Sequence, residues 1–81
     1  MENVKKLNEM TSGDFGKVIM IRGKAGIHRQ LLKLGVTAGR IIHVVSRNIN
    51  AEASTLTVII DNHIRSLSCD IAANIKIDVR C

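Results

Sequence analysis

Three histidines and two cysteines are the residues whose chemistry is most conspicuous in this chain: His28, His43, His63, Cys69 and Cys81. Imidazole and thiolate are the usual ligands of zinc and its neighbours, so a metal centre is the first chemistry to weigh. Their spacing argues against one. No C-x-x-C and no H-x-x-x-H occurs, and the three histidines fall on separate elements. Surface histidines and inert thiols are the expectation, with ligands for weak transition-metal binding unassigned and a site shared across a dimer left open. Two cysteines are also too few for a disulfide scaffold, so both are read as free thiols in a reducing compartment. The carboxylates are scattered and suggest no acid/base pair. The Gly13–Gly16 and Gly23–Gly26 pairs read as turns at strand ends, because neither lies in a phosphate-cradling G-x-x-x-x-G-K-[ST] or G-x-G-x-x-G pattern. An enzyme is not expected.

The remaining chemistry is charge. Twelve Lys and Arg against seven Asp and Glu leave a net charge of +5. Such a surplus suits RNA, anionic headgroups or an acidic protein, and equally keeps a small apolar domain soluble. Specific RNA recognition normally stacks bases on aromatic side chains, and the one aromatic, Phe15, stands beside Gly16 in what reads as a turn. Basic charge without stacking platforms supports only salt-sensitive backbone binding. No basic leader with an apolar core opens the chain and no apolar run approaches ~18 residues, so a cytoplasmic protein without direct membrane insertion is expected.

These side chains need a scaffold, and 81 residues make one domain, 1–81. Nineteen Ile and Val against six Leu favour strands, since branched Cβ atoms pack well on a pleated surface. Val4 to Met10 is a short segment with apolar residues three apart, ended by a turn at 11–14. Lys17 to Arg22 reads as the first strand, with Val18 and Met20 on one side and Ile19 and Ile21 on the other. Ile27 to Leu34 reads as a helix: Ile27, Leu31 and Leu34 share a core face, while Arg29 and Lys33 face water. Gly35 stands where a C-cap needs a left-handed residue, and Gly39 marks a second tight turn. Ile41 to Arg47 is a second strand with Ile42 and Val44 inward and His43 and Arg47 outward, followed by a polar loop at 48–54. Leu56 to Ile60 and Ile64 to Leu67 form a hairpin about Asp61-Asn62. Ser68 caps a single helical turn, and Ile75 to Val79 is the last strand. The sum is a mainly β, five-stranded small barrel with one short helix after the first strand and a helical turn before the last.

The run Leu7-x-x-Met10-x-x-Gly13-Asp14-x-Gly16-x-Val18, then Arg29-x-Leu31-x-x-Leu34-Gly35-Val36-x-x-Gly39, then Ala72-x-x-Ile75-x-Ile77 resembles the FeoA family. The central R-x-L-x-x-L-G-V-x-x-G stretch is its specific part. Ala38 stands where the family usually has Pro, and Ala51-Glu52-Ala53-Ser54 replaces a Gly-Asp-Pro type loop. The resemblance implies an SH3-like fold, also found at the C-terminus of DtxR-type iron-dependent repressors. It implies a non-enzymatic accessory role in bacterial ferrous-iron uptake, exerted on the FeoB transporter, whose cytosolic side carries a GTP-binding domain. The expected contact patch is His28, Arg29, Leu32, Lys33 and Arg40, with Gly35 and Gly39 as structural turns. A homodimer is conceivable; no specific nucleic acid and no cofactor are expected. The alternative is a metal-binding or nucleic-acid-binding barrel module.

Overall fold

The computed structural model describes residues 3–49 and 54–80. Six strands form one antiparallel sheet: β1 (Val4–Lys6), β2 (Phe15–Ile21), β3 (Ile41–Ile49), β4 (Ser54–Ile60), β5 (His63–Ser68) and β6 (Ile75–Arg80). The order is β1-β6-β2-β3-β4-β5. Helix α1 (Ala25–Lys33) joins β2 to β3, and the single turn α2 (Cys69–Ala72) joins β5 to β6. The mainly β, SH3-like reading therefore holds, with two differences. Val4–Lys6 is a sixth strand, so α1 follows the second strand, and no ladder joins β5 to β1, so the sheet does not close into a barrel.

That sixth strand was hidden by its neighbour. The apolar spacing over Val4–Met10 belongs to two elements, β1 and a 3₁₀ turn at Leu7–Glu9. Leu7 and Met10 are buried, whereas Val4 sits at the sheet edge and is exposed. Glu9 Oε1 accepts the Lys6 N–H at 2.8 Å, which fixes the start of the turn.

The core is aliphatic: Val18, Leu31, Val36, Ile42, Val44, Leu56, Val58, Ile60, Leu67, Ile75 and Ile77 are buried with Leu7, Met10 and Ala72. Alternation along β4 buries Leu56, Val58 and Ile60, as their spacing predicts. Two bulges break alternation elsewhere. In β2 the register shifts between Val18 and Met20. Met20 therefore does not share the inward side of Val18 and is 45% exposed. In β3 the shift falls between Val44 and Ser46, so Arg47 lies opposite Leu56 on the core side. The outward position expected for Arg47 is corrected accordingly: it is half-buried, and its Nη1 donates to the Met10 carbonyl at 3.3 Å.

Gly16 is likewise not a turn residue, nor is Phe15. Both lie in β2. A Cβ on Gly16 would meet the Asp78 carbonyl oxygen, Ile77 Cγ2 and, at 2.9 Å, Val79 Cα of β6. Glycine here permits close strand approach rather than a turn. Gly26 lies within α1. Of the polar loop at 48–54, residues 48 and 49 extend β3 and Ser54 begins β4; positions 50–53 lie outside the described residues. In the β4–β5 hairpin Ile60 faces His63, and Asp61 and Asn62 have φ of 50° and 65°. Two consecutive positive φ values make this a type I′ turn.

Candidate functional site: the α1 ridge and the Asp61 corner

Helix α1 packs through one side only. Leu31 is fully buried, with Ile27 and Leu34 half-buried beside it. Positions 28, 29, 32 and 33 then project outward, because at 3.6 residues per turn each lies between about a quarter and a half turn around from that side. His28, Arg29, Leu32 and Lys33 are all exposed, as their spacing predicts. Leu32 is 63% exposed, an aliphatic knob flanked by cations.

The helix ends in a Schellman motif. The Val36 N–H donates to the Leu31 carbonyl at 2.9 Å, and the Gly35 N–H to that of Leu32 at 3.1 Å. Gly35 adopts φ of +83° and Gly39 +94°, so both act as left-handed turn residues. The Gly39 N–H donates to the Val18 carbonyl, and the Arg40 carbonyl accepts the Val18 N–H, each at 2.8 Å. This pair ties the corner to β2.

Arg40 leaves that corner toward Asp61 of the β4–β5 turn, with Nη1 2.5 Å from Oδ2. Asp61 thereby borders two open grooves. One, of about 150 Å³, runs between the end of α1 and β5 and includes Leu32, Lys33, His63 and Arg65. The other, of about 440 Å³, lies on the outer sheet face and includes Arg40, Ile41, His43 and Ile59. Leu32 and Lys33 thus border one of the two grooves at Asp61 and Arg40 the other, while His28 and Arg29 line neither.

Sequence reasoning missed the sheet's contribution. Register places Phe15 opposite His43, His43 opposite Ile59 and Ile59 opposite Ile64. This makes one row across four strands on the outer face. The Phe15 and His43 rings stack at 5.1 Å with 19° between planes. Ile64 is 70% exposed at the far end of the row. Ile59 and Ile64 were legible only as strand residues, since their adjacency on the outer face is set by strand register and not by local sequence.

Charge is segregated along the chain. Residues 15–51 contain seven Lys and Arg and no Asp or Glu; the seven carboxylates all lie outside that span, with the other five cations. The cation-only span builds β2, α1, the Gly39–Arg40 corner and β3. Among the described residues, no three His, Cys, Asp or Glu side chains gather as a metal-ligand group. Cys69 is a half-buried free thiol; Cys81 lies outside the described residues. No helix among the described residues is long and apolar enough to cross a membrane.

Among the described residues, the carboxylate of Asp14 is the one titrating group clearly displaced. The Thr11 backbone N–H donates to it at 3.0 Å, and this, joined by the Thr11 hydroxyl and Lys5, holds it below the ordinary carboxylate range. It is part of the turn that leads into β2, not of the α1 corner.

The fold is similar to those of several proteins of known structure. An iron uptake regulatory protein, FeoA, superposes with a TM-score of 0.85 at 22% identity, covering 95% of this chain and 99% of that one. An FeoA-like protein from Clostridium acetobutylicum gives 0.81 at 22%, covering 100% and 92%. A manganese-dependent transcriptional repressor gives 0.87 at 21%, covering 99% of this chain but 44% of the repressor. No curated protein matches the chain. The family model described as the FeoA domain matches residues 5–79, nearly the whole described sheet, and the chain belongs to that family.

Proposed function

We propose that this protein is a non-enzymatic, cytoplasmic accessory factor of ferrous-iron uptake that binds the cytosolic side of an FeoB-type transporter and modulates it. Family membership supports the iron-uptake setting. The observation that carries the binding mode is the charge segregation: a ridge of Arg29 and Lys33 around an exposed Leu32, on a span without a single carboxylate. Such a face selects an acidic partner surface and speeds encounter with it. Leu32 supplies the apolar contact that a purely electrostatic complex lacks. Modulation follows from preference: the module shifts a GTP-binding domain only by binding one of its states more tightly.

The test is a calorimetric titration against the isolated cytosolic domain of FeoB, with and without guanine nucleotide. Binding that differs between nucleotide states, weakens with salt and falls at least tenfold for Arg29→Glu plus Lys33→Glu is the expected result. Binding indifferent to the double substitution moves the contact off α1. No binding in any nucleotide state refutes the proposal for that domain.

A further inference from the structure

The type I′ turn fixes more than the register. In a two-residue hairpin the closing pair, Ile60 and His63, exchanges both backbone hydrogen bonds, and pairs then alternate. Val58–Arg65 and Leu56–Leu67 are bonded pairs, while Ile59–Ile64 and Thr57–Ser66 are not. The N–H and C=O groups of Ile64 and Ser66 therefore point away from β4. Strand β5 is the edge of the sheet, and no backbone partner for residues 63–68 exists beyond β4 among the described residues.

The side chains along this edge differ on its two faces. On the outer face stands Ile64, beside Ile59. On the core side Arg65 reaches the groove that Lys33 and His63 also border, and its buried Nε has no hydrogen-bond partner among the described residues. A buried guanidinium N–H without an acceptor is costly, and a carboxylate is its natural complement.

We propose that β5 is a docking edge for strand addition, taking an extended segment of a partner protein in which aliphatic and acidic residues alternate. The incoming strand completes the Ile64 and Ser66 hydrogen bonds. Its aliphatic side chain lies against Ile64, and its carboxylate enters the groove at Arg65. This deepens the protein-binding reading above, and rests on it only for the identity of the partner.

The probe is an eight-residue peptide of alternating Val and Glu, against a Val/Lys counterpart, followed by backbone amide exchange. Expected are saturable binding of the Val/Glu peptide alone and new protection at the Ile64 and Ser66 amides. Arg65→Glu should weaken binding about tenfold or more, the scale of one lost charge-assisted bond. Ser66→Pro removes an outward N–H without touching the β4 ladder, and should abolish binding while β4 protection persists. Equal binding of both peptides, or none, overturns the proposal, as does protection elsewhere. Protection of Ile64 and Ser66 that rises with protein concentration and without peptide assigns the edge to a second copy instead, and also overturns it. The same exchange measurement with the FeoB cytosolic domain separates the two readings: a complex that leaves these amides unprotected keeps the transporter and removes the edge.

Discussion

Leu31→Ala and Leu32→Ala differ by one position and should differ in every observable. Leu31 is the only fully buried residue of α1, at 0% exposure, while Leu32 is 63% exposed. Truncating a buried leucine costs about 2–5 kcal/mol, through lost transfer energy and the cavity left behind. A domain of this length holds only about 4–12 kcal/mol in total. A nine-residue helix does not persist alone in water, and the N-cap position, Lys24, gives the first turn no side-chain acceptor. Attachment through Leu31, aided by Ile27 and Leu34, is therefore what keeps α1 formed. Leu31→Ala should reduce amide protection over residues 28–34 by about 1.5 to 3.5 orders of magnitude, at 1.4 kcal/mol per tenfold. The β4 amides, which exchange through global unfolding, should lose protection only as far as the global stability read by urea melts falls. Leu32→Ala should change stability by less than about 0.5 kcal/mol and act on partner binding instead. Native-state hydrogen exchange, with urea melts for both variants, is the assay. Unchanged α1 protection beside a fall in global stability would refute α1 as a unit held through Leu31. A Leu32→Ala penalty matching that of Leu31→Ala would refute the helix phase itself.

Gly16→Ala should destabilise by about 1–3 kcal/mol or more in urea melts, because the added methyl meets β6 backbone that cannot step aside. Gly35→Ala and Gly39→Ala meet open space or loose contact, so each should cost only the left-handed backbone penalty, about 1–2 kcal/mol. Asp14 has a lowered folded-state pKa, so its contribution is complete above the unfolded carboxylate value and is lost as pH falls through the folded one. Asp14→Asn should accordingly flatten the acid side of the stability–pH curve, read by thermal melts from pH 6 to 3. Arg40 and Asp61 are each half-exposed, so Arg40→Ala should shift stability by under about 1 kcal/mol, less still at high salt.

Much of this was legible in one dimension. Branched residues at alternate positions specify β4 and β6, because period two buries one face whatever the partner strand. Ile27, Leu31 and Leu34 identify the buried side of α1, and by subtraction the exposed ridge. Gly35, Asp61-Asn62 and Ser68 each encode a local conformation through their own backbone or hydroxyl chemistry. The Ser68 Oγ does accept the Ile71 N–H, at 3.2 Å. What tertiary structure alone decided depends on residues distant in sequence. The bulges after Val18 and Val44 answer to neighbouring strands, and they turned Met20 outward and Arg47 inward. The β1 strand exists only because β6 is there to pair with it, three residues being too few to declare themselves. The Phe15–His43–Ile59–Ile64 row is a product of register, and the unpaired edge of β5 a product of strand order. Local sequence sets which side of an element faces the core; only the assembled sheet sets which side chains become neighbours on the other side.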